Sequence, residues 1–322
     1  MPVVIKTNME SLLVRQNLNS ATNALDTAIE RMTTGYRINR ASDNAAGYSI
    51  ADSWVTKIGS LDIAAQNASM GKDMLSTTEQ NYSLLTGHLQ RIRDLTEQAS
   101  NGTYGSVSLK AMQAEVKARL EEISRIANNA EFNGIKLMSG TVSSSGVSLQ
   151  IGLDASADSV INLESTMFAN STVSGLFSEN SSFMSIVTKD NNDQAVSSIN
   201  SSDGYTALAA AFVGLKKTAG GNYVIQNESG YQAKDTLAAI DKALKDIDGR
   251  VTTLGSTQNR VDSAVSSIEV RSTNLTSSLS TLRDADVAEE SSNYIQAQIL
   301  QQAAATLLST ANQQPSIALS LI

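Results

Sequence analysis

The chain has 322 residues, a formal net charge of −8 and no cysteine. Its length allows two or three domains and a sizeable core. The acidic balance argues against nucleic acid or an anionic membrane as the main partner, and disulfides and thiolate metal sites are excluded.

The hydrophobic share is 41% but aromatics are only 4%, with a single Trp54, so packed helices are favoured over a large globular core. The start, MPVVIKTNMESLLVRQ, lacks the charged, then apolar, then small pattern of a secretory signal peptide, so export by the general route is not expected. The two prolines, Pro2 and Pro315, stand near the ends, and everything between is free of the residue that breaks helices.

Residues 8–34 read as a helix in which Val14, Leu18, Ala21, Leu25, Ala28 and Met32 alternate spacings of four and three, with Gly35 as its C-terminal cap. YRINRASDNAAG (36–47) reads as a connector. A long helix follows over about 45–100, with Ile50, Trp54, Ile58, Leu61, Ala65 and Ala68, then Tyr82, Leu85, Leu89 and Ile92, on one stripe. Asn101-Gly102 ends it. A third helix over about 106–129 lines up Met112, Val116, Leu120, Ile123 and Ala127.

The period then changes: SLQIGLD and SVINLE predict a β-hairpin. Between Thr166 and Gly204, 18 of 39 residues are Ser, Thr or Asn, and 166–232 reads as a small, separate, surface-presented domain holding a short helix at 205–215 and a strand at 222–227. The second long helix is the clearest signal. Leu237, Ile240, Leu244, Ile247, Val251, Leu254, Gln258, Val261, Val265, Ile268, Ser272, Leu275, Leu279 and Leu282 step by three and four without a slip. Leu237, Leu244, Val251, Val261 and Ile268 are the expected rod core. RDADVAEE (283–290) interrupts the pattern, and Asp286 with Glu289 forms a capping box that restarts a helix.

From Ser291 to Ile322 no side chain is charged. Ile295, Ile299, Ala303 and Leu307 fall on one helix face, widened by Leu300, Ala304, Leu308 and Ala311, while Gln296, Gln298, Gln301, Gln302 and Asn312 hold the other. Mid-helix amides disfavour a bilayer span, and a solvated surface helix would carry Lys or Glu. A charge-free helix suits packing among copies of itself, where a buried charge would need a partner; the alternative is a disordered polar tail.

The expected fold is mainly α with a small β part: an elongated antiparallel coiled-coil or helix-bundle rod built from both termini, with a β-hairpin near 140–165 and a small variable insert. Its divisions are 1–44, an N-terminal helix and connector; 45–165, half of the rod plus the hairpin; 166–232, the insert; 233–285, the other half of the rod; and 286–322, the C-terminal helix.

Catalytic chemistry finds little support. His88 is the only histidine and reads as a surface or packing residue. Phosphate-binding GxxxxGK[ST], GxGxxG and HExxH patterns do not occur. Asp43 and Asp284 imitate a carboxylate pair, but each lies in a connector beside an arginine, so ion pairing at a packing joint is expected. No enzymatic activity, cofactor or metal is expected.

These segments resemble bacterial flagellin. The likeness runs through NLNSATNALDTAIERMTTGYRINRASDNAAGYSIAD, LQRIRDLTEQASNGT, EFNGIKL, LGSTQNRVDSAVSSI and LRDADVAEESSNYIQAQILQQAAATLLSTANQQPSIALSLI, covering about 1–165 and 233–322. It implies a non-enzymatic subunit of an extracellular helical filament, exported unfolded by the flagellar type III apparatus. Its terminal helices would order on assembly as the innermost layers around a channel.

Assembly residues on this reading are Leu18, Leu25, Met32, Arg37, Arg40, Asp43, Asp284, Ile295, Ile299, Leu300, Leu307 and Leu308. Implied partners are further copies of the chain, an export chaperone on the C-terminal segment, the filament cap, hook–filament junction proteins and the flagellin-sensing Toll-like receptor of animals; neither nucleic acid nor membrane is implied. Receptor contacts carry over to Gln90, Arg91, Leu95 and Glu115. Tyr36, Ser256 and Asp94 depart from the usual Leu, Ala and Glu. The rival readings are a hook–filament junction protein of the same family and, from another class, a secreted coiled-coil adhesin.

Overall fold

The structure, a computed structural model, describes residues 8–142, 146–154, 156–177, 202–217, 223–225 and 233–320. It is mainly helical: α1 Met9–Thr34, α2 Ala45–Ala99, α3 Ser106–Asn129, α4 Val173–Phe177, α5 Ser202–Phe212, α6 Ala233–Arg283 and α7 Val287–Ser320. Among the described residues, six short strands pair in three antiparallel hairpins: β1 Glu131–Phe132 with β2 Ile135–Lys136, β3 Val147–Gln150 with β4 Val160–Leu163, and β5 Leu215–Lys217 with β6 Tyr223–Ile225. The chain divides into two compact units, 1–62 with 270–322 and 63–269, and the divisions fall inside α2 and α6.

In the 63–269 unit, α2 and α6 run antiparallel. Lys72 meets Asp262 at 2.7 Å, Gln258 donates to Glu79 at 3.0 Å, and Arg93 meets Asp241 at 2.7 Å. Beneath these rungs lie Leu75, Tyr82, Leu85, Leu89 and Ile92 from α2, Val116, Leu120 and Ile123 from α3, and Ile240, Ile247, Leu254 and Val261 from α6, all fully buried. Burying each such side chain stabilises by about 1.5–3 kcal/mol.

Of the expected rod core, Val261 and Ile268 are buried, while Leu237, Leu244 and Val251 are half-buried. Ile50, placed on the α2 stripe, is instead exposed. Trp54 and Ile58 are half-buried, so the stripe tightens only from Leu61 onward.

The hairpin expected from SLQIGLD and SVINLE is β3–β4, registered Val147 to Leu163 and Gln150 to Val160. Leu149 lies against Gly71 of α2, where an added Cβ would sit 2.3 Å from a Leu149 methyl and would push that side chain aside.

The expected helix at 205–215 begins at Ser202 and ends at Phe212, leaving Leu215 to β5; the expected strand at 222–227 is β6. The described residues of the 166–232 stretch do not make a core of their own. Met167, Phe168, Phe177, Leu208 and Phe212 join the core of α2, α3 and α6, with Phe177 and Phe212 edge to face at 5.6 Å. Residues 178–201, 218–222 and 226–232 of the expected insert lie outside the described residues.

A polar lock ties this stretch down. The Tyr82 hydroxyl donates to the Met167 carbonyl at 2.7 Å, and Arg250 donates to the Ser171 hydroxyl at 2.7 Å and to the Ala169 carbonyl at 3.3 Å. The buried backbone turn thus keeps its hydrogen bonds.

Candidate assembly interface

In the other unit α1 and α7 pair antiparallel. The Asn8 amide donates to the Ala311 carbonyl at 2.7 Å, the Gln301 amide to the Thr22 hydroxyl at 3.2 Å, and Arg31 to Glu290 at 3.0 Å. Asn8 also caps α1, accepting from the Ser11 N–H at 3.0 Å, and Gly35 closes it in the left-handed conformation, φ 74°.

From α1 the seam takes Val14, Leu18, Ala21, Leu25 and Ala28, the stripe expected from its spacing except for its last member, Met32, which is exposed. From α7 it takes Glu290, Tyr294, Ala297, Gln301, Ala304, Leu308 and Ala311, a heptad whose buried members include three alanines. Gln301, expected on the polar outer face, belongs to the seam. Its amide stays there because the Thr22 hydroxyl accepts from it.

The large apolar residues of α7 point elsewhere. Ile295, Ile299, Leu300 and Leu307 are 54%, 60%, 52% and 57% exposed, and Met32 of α1 is 38% exposed. A groove of about 800 Å³ runs along the helix pair, lined among others by Asn17, Ala24, Gln296, Leu300 and Leu307. Small residues let the two backbones approach, and the bulk that would have filled the seam is carried on the outside.

Past α1 the chain pairs with the end of α6. Arg37 donates its N–H to the Arg283 carbonyl at 2.6 Å, Ala285 to Gly35 at 2.9 Å, and the Arg37 guanidinium to the Leu282 carbonyl at 2.8 Å. Tyr36 bridges to Asp284, and the Arg283 guanidinium lies 4.2 Å over the Tyr36 ring.

Asp43 is not an ion-pair partner as expected. Its carboxylate accepts the N–H groups of Arg40 and Asn39 at 3.1 Å each, which hold it below its usual pKa, the Arg40 charge adding to the effect. Arg40 pairs with Glu30 instead. Asp286 caps α7, accepting from Ala288 at 2.8 Å and Glu289 at 3.4 Å, the first leg of the expected box.

On the α2–α3 face, Arg91 holds Glu115 through two bonds of 2.9 and 3.4 Å, and Arg119 adds bonds of 3.1 and 3.2 Å. Arg91 thereby lowers the pKa of Glu115, with Arg119 contributing. His88 Nδ1 lies 3.4 Å from Arg119. Burial first, and then the Arg119 charge, push its pKa below the usual value, against a pull from Glu122. Among the described residues no group of three or more His, Asp or Glu could hold a metal, and no helix is long and apolar enough to cross a membrane.

The family model for the bacterial flagellin N-terminal helical region matches residues 5–143, and that for the bacterial flagellin C-terminal helical region matches 237–322. The chain belongs to the flagellin family.

Flagellin D of Vibrio anguillarum is 30% identical over 378 aligned positions, and flagellin E of Vibrio cholerae serotype O1 is 31% identical over 379, each alignment spanning all of both chains. A solved putative flagellar hook-associated protein from Vibrio parahaemolyticus has TM-score 0.53 at 15% identity, covering 75% of this chain and all of that one, and shares the fold. As a flagellin, the chain is a structural subunit of the extracellular filament.

In this flagellin the residues carried over as receptor contacts divide. Gln90 is exposed and Arg91 and Glu115 form a partly exposed pair, but Leu95 is only 3% exposed and belongs to the core with Ile92 and Leu89. Its place on the same helical stripe accounts for that. The β1–β2 hairpin was not expected from the sequence; Asn133-Gly134 between Phe132 and Ile135 is the signal that marks it.

Proposed function

We propose that this flagellin polymerises through the outward apolar face of α7, with α1 and α7 as the innermost packing elements of the filament. The observation that carries this reading is the exposure of Ile295, Ile299, Leu300 and Leu307 on a segment with no charged side chain after Glu290. These residues lie outside the α1 seam, so burying them requires another copy, and the neutral amides beside them desolvate at lower cost than charges.

Leu18, Leu25 and Leu308 support the interface from within the seam. Met32, Arg37, Arg40 and Asp284 are exposed beside it. Asp43 acts by fixing the connector.

The same reading includes export in the unfolded state through the flagellar type III apparatus, with a chaperone covering the 286–322 segment before assembly. The filament cap and hook–filament junction proteins are further partners. Gln90, Arg91 and Glu115 are the surface offered to the flagellin-sensing Toll-like receptor, with Leu95 holding α2 in position from beneath.

Seeded polymerisation of the full chain, beside a version ending at Glu290, tests the assembly reading by electron microscopy. Filaments from the full chain alone support it; filaments from both would remove α7 from the interface, and filaments from neither would favour the junction-protein role.

A further inference from the structure

Asn-Gly occurs twice in the chain, at Asn101-Gly102 and Asn133-Gly134. An asparagine before glycine is chemically exposed, because no Cβ hinders the next backbone nitrogen from reaching the side-chain carbonyl carbon. The fold treats the two pairs differently.

Asn133 and Gly134 form the β1–β2 turn, both left-handed at φ 47° and 81°. Strand pairs Phe132–Ile135 and Glu131–Lys136 flank them, the second braced by an ion pair of 2.6 Å. Cyclisation there must rotate the peptide out of a turn that fits its strands.

Asn101 and Gly102 follow the last turn of α2 and are both exposed. As at Gly134, an added Cβ on Gly102 would meet nothing within 4 Å; among the described residues the Gly102 N–H donates to no acceptor. The Asn101 Oδ1 accepts the Thr103 N–H at 3.3 Å. That donor polarises the side-chain carbonyl and stabilises the oxyanion formed when its carbon becomes tetrahedral.

We propose that Asn101-Gly102 is a self-modification site of the folded subunit, converting to aspartate and isoaspartate at position 101. The Gly102 nitrogen loses its proton to solvent hydroxide and bonds to Asn101 Cγ. The Cγ–Nδ2 bond breaks as Nδ2 takes a proton from water and leaves as ammonia, closing a succinimide and returning the hydroxide. Water adds to one of the two ring carbonyls and reopens it, giving aspartate or, with one more methylene in the backbone, isoaspartate. The new carboxylate stands at the C-terminal end of a helix, where the dipole disfavours negative charge, and one turn after Glu97. The Ser100 N–H bond to the Thr96 carbonyl at 3.0 Å is the first to loosen.

The test incubates the purified full-length protein at mildly alkaline pH in water enriched in oxygen-18, native and in urea, and reads both sites by peptide mass mapping. The expected result is several-fold faster conversion at Asn101 than at Asn133 in the native protein, with heavy oxygen incorporated at each event. In urea the two rates converge. Gly102→Ala should slow position 101 several-fold and leave position 133 unchanged. Native rates that are equal, or faster at Asn133, overturn the assignment, as does native conversion at Asn101 far below its rate in urea.

Discussion

Arg31 of α1 donates to Glu290 at the start of α7 at 3.0 Å, joining residues 259 positions apart, and the Glu290 side chain is only 8% exposed. The pair sits at one end of a seam that also carries the polar contacts Thr22–Gln301, Asn8–Ala311 and Ser11–Asn312. An alanine-rich seam specifies register weakly, because neighbouring alanines are interchangeable. Polar contacts at fixed heights remove that freedom.

Removing the carboxylate leaves the Arg31 guanidinium without its partner in a partly buried place. Glu290→Ala should therefore destabilise the α1–α7 pair by about 1–3 kcal/mol. Replacing both partners, as Arg31→Met with Glu290→Leu, should recover most of that loss. Hydrogen exchange of the α1 and α7 amides measures both, and a double variant no better than Glu290→Ala would place the effect elsewhere.

Exposed and seam positions of α7 should separate assembly from folding. Ile299→Asp or Leu307→Asp should abolish seeded polymerisation while the melting of the free subunit stays within about 0.5 kcal/mol of the parent. Ala304→Asp places an unpaired charge in the α1–α7 seam itself and should loosen that pairing as well. Circular dichroism beside electron microscopy reads the contrast, and normal filaments from the first two variants would count against the outward face.

How far the sequence could be read differs along α7 and α2. The α1 stripe was legible because Ala21 and Ala28 alternate with larger apolar residues in a heptad. The inward side of α7 was legible only in part: Ala304, Leu308 and Ala311 stand on the widened stripe, but hydrophobicity centres it on Ile295 and Ile299, whereas the seam runs through Ala297, Ala304 and Ala311, since small residues allow the closest backbone approach. Periodicity reports which positions are apolar, not whether the surface that covers them belongs to the same chain. Leu95 shows the same limit. A motif preserves its residue type, while Leu85, Leu89 and Ile92 on the same helix dictate that it points inward. Arg31–Glu290 was invisible for a simpler reason, the length of chain between its partners.

Position along the α6 stripe should set the cost of a buried charge. Val261 is fully buried, whereas Val251 and Val265 are half-buried. Val261→Asp should unfold the 63–269 unit, and Val251→Asp or Val265→Asp should cost less, because a carboxylate there can reach water. Urea titration followed by circular dichroism orders the three, and equal costs would mean the stripe is uniformly enclosed.

The polar lock on the 167–171 turn offers a smaller, cleaner perturbation. Tyr82→Phe keeps the ring in the core and deletes only the hydroxyl, leaving the buried Met167 carbonyl without its donor. The expected cost is about 1–2 kcal/mol. Thermal unfolding measures it, and an unchanged transition would mean that another donor takes over that carbonyl.

Acidification should weaken the fold in two steps. His88 has a folded-state pKa below the ordinary histidine value of 6.5, because burial and Arg119 oppose its protonation. A depressed value means that the unfolded chain takes up the proton first, so stability is fully present above 6.5 and is lost as pH falls through the folded pKa. Asp43, Glu115 and Glu122 are likewise depressed, from the ordinary 3.8 of an aspartate and 4.5 of a glutamate, by backbone N–H groups at Asp43 and by arginines at the other two. Their contribution is present above those values and is lost as pH falls below them. Because His88 is the only histidine, the first step belongs to one residue. His88→Gln should flatten the urea midpoint between about pH 7 and pH 5.5 while leaving the steeper loss below about pH 4.5. A slope that survives the substitution would assign the first step to carboxylates whose folded and unfolded values differ for another reason.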